Sequence, residues 1–562
     1  MNVSDAVIES AIARPTALAA LGSNWRALLD AESFNHEACA HALLDVLQRH
    51  LPNGVVTIRG ISPLTALLCE QLAALPYRVA IDPLDNPTRR RQFCGMPLQR
   101  GSVGEAALKV FAKDDGEVAG ACVFGIASAD VQQAYALALA RHRRELAERL
   151  NALLAGDAPV VIFVAKLAYY NQLRMSASLR RQGFRTVAIT FNPDLREHKS
   201  GYFDDVLATD LLSFSLWLQG ARGVVLHTQG WLFRYHIPVL IDAFLPDDGQ
   251  QIVELMDLNS FFLPPDALPQ LLPHMRQTWG DDVAALQQVQ MACEQYLVHH
   301  ADGIVYQGCR RIMDLLGGTG RPSRWLQFLC YPLPEFYVAT DPERPVPQRP
   351  RLVFAGGIPP VNAKHPAALF SDAQLLDTVE TIVGQGFALD VYNNPLKMAE
   401  EDYVDVYADH LALAERYPNY RFLKGELPGR IAQIISDYDL GLIVYDYADT
   451  LLVGAEHFKT LIPSKLFMYL EAGLPVLVSH RAEATAEFVE RHGCGLAISA
   501  EQLRDLPNVL QGLDWLALRK GVLAARERLS MDSQVQRLIG FYRLCGQPHK
   551  QATTDLPHQL SC

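Results

Sequence analysis

Lys465 stands where the backbone around it favours an anion. The run Ile462-Pro463-Ser464-Lys465-Leu466-Phe467-Met468-Tyr469-Leu470-Glu471-Ala472-Gly473-Leu474-Pro475-Val476-Leu477-Val478-Ser479 predicts a proline-started helix, a glycine stop and a buried parallel strand. Pro463 suits a first helical turn, where a missing N–H is no loss. Gly473 can end the helix at positive φ. In the first turn the unbonded N–H groups and the positive end of the helix dipole attract negative charge. A lysine there mildly opposes the helix unless something negative sits against it, and a phosphate is such a partner. The bland alternative is an ordinary helix–strand unit of any α/β domain, and this segment by itself leaves both readings open.

Holding such a lysine in place takes a parallel sheet, and the chain predicts three α/β series. Residues 1–50 carry helical apolar spacing at Ala40, Leu43, Leu44 and Leu47. The strands Val55–Ile58 and Tyr77–Ile81 flank a helix over 63–74, a β-α-β unit that implies parallel strands and a right-handed crossover. A strand at 120–124 then leads into a long helix over 132–154. Gly60 and Gly125 lie at strand ends, where open parallel sheets bind ligands. Neither strand is followed by a GxGxxG pattern, which favours an accessory domain over a cofactor site. A second series predicts strands at 160–164, 186–190, 223–227, 251–255 and 303–306, with helices between them. Residues 341–350 hold four prolines and read as a stiff linker. The third series predicts strands at 351–355, 387–392, 420–423, 440–444, 476–479 and 495–498. The expected domains are therefore 1–155, 156–340 and 351–546, joined by the linker 341–350 and followed by a polar, disordered tail over 547–562.

With 562 residues the chain is too long for one core. Apolar residues make up 49% and charged residues 20%, which excludes a disordered chain. A net charge of −12 disfavours nucleic acid and anionic lipid as bulk partners, although a local basic pocket can still take a nucleotide. The ten cysteines form no CxxC pair, which argues against zinc and for reduced thiols. The sequence shows no leader-like segment and no long uninterrupted apolar run, so the expected location is cytoplasmic, with peripheral membrane contact left open.

From Val160 to about Cys545 the order of features resembles a GT-B glycosyltransferase of the retaining, glycogen-synthase-like group, in the variant reading Pro-x-Lys, Tyr-Leu and Ala-Gly-Leu-Pro-Val. The stretches that carry the resemblance are Leu226-His227-Thr228-Gln229-Gly230, Glu254-Leu255-Met256-Asp257-Leu258, Cys293-Glu294 with Ala301–Val305, Phe354-Ala355-Gly356-Gly357-Ile358 and Asp437-Tyr438-Asp439-Leu440-Gly441-Leu442. The resemblance implies an α/β fold of two Rossmann-like domains facing a cleft, here with an extra N-terminal α/β domain. It also implies transfer of a sugar from a nucleoside-diphosphate sugar to a glycan, lipid-linked or protein acceptor, with retention and without a metal. No separate cofactor is implied.

The chain departs from that pattern in one respect. Many relatives carry two glutamates with roughly seven residues between them, the second about five before the glycine of the Gly-x-Pro turn. Those places are held here by Thr460 and Met468, and Glu471 comes three residues late, in a different phase of the helix. The ribose-binding role is therefore not carried onto Glu471.

Sugar transfer needs the leaving diphosphate stabilised, the acceptor oriented and water excluded. With no Asp-x-Asp motif serving the phosphates, backbone N–H groups and cations must do it. Gly356 and Gly357 are the candidate backbone donors, and Lys465 is the candidate point charge. The loop carrying Gly454, His457 and Lys459 is the next candidate for phosphate or sugar contact. His227 and Asp257, at predicted C-terminal strand ends, are the candidate catalytic residues on the acceptor side, with Asp257 placed to orient or deprotonate a hydroxyl. The plain alternatives are a structural turn for the glycines, solvated charges for the loop, and caps for His227 and Asp257. Asn393 and Asn394 suit a turn better than a nucleobase contact. The missing glutamates keep a second class open, a catalytically degenerate scaffold subunit that supports a partner enzyme. An epimerase of the same architecture is a third reading, but the cleft segments offer no identifiable acid–base set for it.

Overall fold

The computed structural model describes residues 5–60, 62–84, 92–94, 96–100, 105–110, 122–165, 170–191, 201–264, 269, 276, 282–358, 374–394, 406–427, 429–445 and 453–546. The tail expected over 547–562 lies outside them. The chain divides into two compact units. One comprises Met1–Ala168, Gly183–Leu226 and Val239–Gly249; the other comprises Tyr169–Gln182, His227–Pro238 and Gln250–Cys562.

In the first unit, helix α1 (His36–His50) starts where the Asn35 side chain accepts from Ala38 N at 2.8 Å. Strand β1 (Gly54–Arg59) is followed by α2 (Pro63–Ala73), whose Ser62–Thr65 capping box satisfies two end groups reciprocally. Strands β2 (Tyr77–Asp82), β3 (Ala106–Lys109) and β4 (Cys122–Gly125) complete a parallel sheet of order β2-β1-β3-β4. The sequence reading misses β3. Its four residues are Ala-Ala-Leu-Lys, with little intrinsic strand preference, and it forms because both of its neighbours supply ladders. Helix α3 (Ala129–Leu154) packs on α1, burying Tyr135, Ala138 and Leu139 with Leu43 and Leu47.

The second sheet contains β5 (Val160–Ala165), β6 (Arg185–Thr190), β7 (Asp205–Ala208), β8 (Val225–Gly230), β9 (Gln250–Leu255), β10 (Gly303–Tyr306) and β11 (Trp325–Gln327), in the order β11-β10-β9-β8-β5-β6-β7. Counted from β5, this is the doubly wound order extended by one strand. The short edge strands β7 and β11 are absent from the sequence reading, because three or four residues carry too little periodicity to stand out.

The third sheet lies wholly in the second unit. It holds β12 (Leu352–Ala355), β13 (Leu389–Asn393), β14 (Tyr420–Lys424), β15 (Leu440–Ile443), β16 (Val476–Ser479) and β17 (Gly495–Ile498), in the order β14-β13-β12-β15-β16-β17. All five pairings are parallel. This is the Rossmann order 3-2-1-4-5-6, with its reversal between β12 and β15. The buried Tyr469 ring fills the space over Gly441, where a Cβ would come within 2.7 Å of it. Its hydroxyl accepts from Ala355 N and donates to Leu442 O, both at 3.0 Å, and so ties the two strands at the reversal.

Two successive Rossmann-type parallel sheets preceded by a smaller α/β sheet match the α/β, GT-B-type architecture expected from the sequence. Among the described residues no helix is long and apolar enough to cross a membrane.

Candidate functional site

In a doubly wound sheet the carboxyl ends of the first and fourth strands diverge and leave a crevice. In the third sheet those ends are Ala355-Gly356-Gly357 after β12 and Val444-Tyr445 after β15, and Lys465 reaches them. Helix Ser464–Glu471 begins one residue later than the sequence predicts, with Pro463 as the extended cap residue, and Gly473 ends the turn at φ +72°. Lys465 therefore lies in its first turn. Its Nζ is hydrogen-bonded to the Tyr445 hydroxyl. It stands 4.8 Å from the centroid of the Phe354 ring and 4.7 Å from that of Tyr445. A Cβ on Gly356 would come within 3.2 Å of Lys465 Cε, so the glycine leaves room for the lysine stem.

Gly356 is not a spare backbone donor, because its N–H donates to Tyr392 O at 3.0 Å and extends the sheet. What it supplies is space and a φ of +156°. Gly357 is half-buried, and among the described residues no hydrogen-bond acceptor meets its N–H. Asn393 does not make the expected turn: it is the last residue of β13, and its Oδ1 accepts from Ile358 N at 3.1 Å and Asn394 N at 2.8 Å, which ties the loop after β12 to the end of β13.

Three of the candidates lie together around a short helix, α7 in the numbering that follows. The other helices that bear on the candidates are, in chain order, α4 (Tyr170–Arg181), α5 (Asn259–Phe262), α6 (Val283–His300), α7 (Ala455–Thr460), α8 (Ser464–Glu471) and α9 (Met531–Cys545). Gly454 precedes α7 and donates to Phe262 O at 3.2 Å; a Cβ there would come within 2.0 Å of Phe261 O. Its place is set by close approach to α5. The buried His457 ring stands edge-on to Phe262 at 4.7 Å, which makes it a packing residue of the α5–α7 contact rather than an open ligand group. Lys459 stays partly exposed, 3.9 Å from Glu456 Oε1.

Asp257 follows β9 at φ +32°, an unusual conformation for a residue with a side chain. Its Oδ2 accepts from Trp231 Nε1 at 2.6 Å. Both residues are partly exposed.

His227 is enclosed and does not face an acceptor. Its ring is fully buried, with Nδ1 2.7 Å from the Tyr542 hydroxyl of α9 and Nε2 4.0 Å from Glu254. Burial pushes the imidazole down to about 3, so it is neutral at working pH. The buried Glu254 carboxylate is itself met by amide donors from Asn171, Gln172, Gln229 and Gln307, while desolvation raises its pKa.

Three features were missed in the sequence. Tyr445 was detectable as a polar aromatic following an apolar strand, and Trp231 as an aromatic following Gly230. The third, the buried pair of Arg174 and Glu471, has no sequence signature, since 297 residues separate its partners. Arg174 Nε and Nη2 meet the two Glu471 oxygens at 3.0 and 2.7 Å, and Leu333 N adds a bond at 2.8 Å. Glu471 therefore ties α8 to α4 and to the segment after β11. Among the described residues no group of three or more His, Cys, Asp or Glu side chains could hold a metal ion.

Residues 395–522, which run from after β13 to the helix Trp515–Arg528, match the family model "Glucosyltransferase 3-like, C-terminal domain". No curated protein matches the sequence. Among solved structures, the chain is similar to a glycosyltransferase from Rickettsia africae, with a TM-score of 0.43 and 7% identity over 69% of this chain and 99% of that one. It is similar to the glycosyltransferase SnogD from Streptomyces nogalater, with a TM-score of 0.34 and 13% identity over 68% and 99%. It is also similar to a putative UDP-N-acetylglucosamine 2-epimerase from Listeria monocytogenes, with a TM-score of 0.38 and 10% identity over 69% and 96%.

Proposed function

We propose that this chain is a glycosyltransferase that takes a sugar from a nucleoside-diphosphate sugar and passes it to a glycan, lipid-linked or protein acceptor. The observation that carries the reading is Lys465 at the strand-order reversal of the third sheet, in a first helical turn and alongside Gly356. A diphosphate placed there would meet a point charge, the Gly357 N–H and a helix start, which together offset the charge of the leaving group. The family-model match over 395–522 supports the same reading, because the matched stretch includes Tyr445 and the whole Lys465 helix. In this reading Lys465 and Gly357 hold the phosphates, Gly356 makes room for the lysine, and Asp257 orients the acceptor hydroxyl. Transfer proceeds with retention and without a metal, as the resemblance implies.

A second reading, a transferase-like scaffold, is favoured by one observation. Met468 occupies the helical position where relatives carry an acid, and the nearest acid on the helix, Glu471, is fully engaged by Arg174 and Leu333. Isothermal titration of the purified chain with UDP, GDP, CDP, dTDP and their sugars separates the two. Selective binding of one nucleotide, followed by release of that nucleoside diphosphate from its sugar in the presence of acceptor, supports the enzyme. Binding of none of them moves the assignment to the scaffold.

A further inference from the structure

The segment after β8 and the segment after β9 are bound to each other at four points. Met256 N donates to Gly230 O at 2.9 Å, and the Tyr235 hydroxyl donates to Met256 O at 2.7 Å. Phe233 N donates to Asn259 Oδ1 at 3.1 Å, and Trp231 Nε1 donates to Asp257 Oδ2 at 2.6 Å. Between these ties the backbone is held in sparsely populated conformations, with φ +59° at Phe233 and +32° at Asp257. Strain of this kind persists where the surroundings over-determine it, and it concentrates at ligand clamps. A structural turn could have used glycine at either place and avoided the strain. Here the strain presents a partly exposed indole joined edge-on to a partly exposed carboxylate, both at carboxyl ends of parallel strands.

We propose that Trp231 and Asp257 form a carbohydrate-binding subsite. A pyranose ring has an apolar C–H face and a rim of hydroxyls. An indole can cover the face without desolvating the rim, and a carboxylate in the indole plane can accept from a rim hydroxyl. The Trp231–Asp257 bond fixes the angle between these two elements, so the subsite is formed before the ligand arrives. Helix α5 starts two residues after Asp257 and carries the Phe261 carbonyl against Gly454, just before α7. The chain that carries Asp257 thus leads, through α5, to the Gly454 contact at the start of α7. Its role as the acceptor position rests on the transferase reading; its binding of saccharide does not.

The test is saturation-transfer difference NMR on the full chain with methyl α-glucopyranoside, methyl β-galactopyranoside and methyl N-acetyl-β-glucosaminide. Wild type, Trp231→Ala, Trp231→Phe and Asp257→Asn are compared, and thermal melting checks that each variant is folded. At least one glycoside should show transfer strongest at its ring C–H protons. Trp231→Ala should weaken binding about ten-fold, the upper end of what an aromatic face contributes. Trp231→Phe should retain most of the face contact. Transfer to none of the three glycosides in the wild type, or equal transfer in folded Trp231→Ala, overturns the proposal. Nucleotide titration of the same samples reports on the donor reading separately, so failure of the subsite and failure of the transferase assignment give different results.

Discussion

Removing the Lys465 ammonium should cost donor affinity and only a modest part of the fold's stability, and the structure bounds both effects. In the apo chain Nζ gains from the Phe354 and Tyr445 rings at 4.8 and 4.7 Å. A cation over aromatic rings at a partly exposed site contributes about 0.5–1 kcal/mol. Its place in the first turn of α8 works against the helix dipole by about 0.3–1 kcal/mol. The two effects nearly cancel, which leaves the hydrogen bond to the hydroxyl of the buried Tyr445, so Lys465→Ala should lower apo stability by about 1–3 kcal/mol. With a diphosphate bound, the lost hydrogen bond to a charged group costs about 1.5–3 kcal/mol, or about ten- to a hundred-fold in Kd. Gly356→Ala should act on the same contact from the other side, since its Cβ would crowd Lys465 Cε at 3.2 Å. Residues in contact couple, so the double variant should lose less than the sum of the singles. Calorimetric titration with the preferred nucleotide, alongside thermal melting without ligand, reads both quantities. A Lys465→Ala protein that melts far below wild type yet binds nucleotide equally well would refute the reasoning and make the lysine a structural residue.

Three further outcomes follow from the packing of the second unit. Arg174→Met should destabilise by about 3–5 kcal/mol, because it strands a fully buried Glu471. Arg174→Met with Glu471→Gln should recover most of that in urea unfolding, since the amide still accepts from Leu333 N; equal loss in single and double variants would contradict the ion-pair account. Gly454→Ala places a Cβ 2.0 Å from a backbone carbonyl and should loosen α5 from α7, at a cost of about 1–3 kcal/mol or more. Hydrogen exchange over 455–460 unchanged in that variant would count against the contact. Glu294 is fully buried, accepts from the Ser260 hydroxyl and from Ser260 N, and is pushed up to about 7 by desolvation. A carboxyl raised in the fold binds more protons in the native state between the unfolded value and about 7. Its contribution to stability is therefore full below about 4.5 and is lost as pH rises through about 7. Glu294→Gln should remove that decline, and an identical pH–stability curve in the variant would show that another group causes it.

The third sheet was largely legible because its central strands β12, β15 and β16 are near-continuous apolar runs and its turns are marked by glycine and proline, as at Gly356, Gly473 and Pro475. A parallel strand buried on both faces needs that composition. Strands β3 and β7 were not legible, because they are stabilised by neighbours rather than by their own residues. The chemistry of single positions was less legible than the fold. Gly356 and Gly454 were read as donor-binding positions, and what the structure shows at both is a close approach: the lysine stem at one, the Phe261 carbonyl at the other. Sequence shows that a side chain is missing and cannot show what fills the space. His227 misleads for a related reason. The sequence places it at a strand end, as an exposed ligand residue would be, but it lies within β8, and α9 returns from the far end of the chain to cover it with Tyr542. A cover supplied 315 residues away leaves no mark on the local pattern.

Glu471 on α8 is likewise placed by distant partners. Lys465 and Met468 are three residues apart and share one partly exposed helix face. An acid at 468 would stand one turn from the lysine and compete with a phosphate for it unless a ribose held its oxygens. Glu471, a further turn along, is buried and points its charge away from that face, towards Arg174 and Leu333. The helix thus keeps a cation at its first turn with no acid beside it on that face, and uses its carboxylate to anchor its other end. The anchor holds the helix start in register with β12 and β15 through Tyr469, two residues earlier, whose hydroxyl bonds both strands.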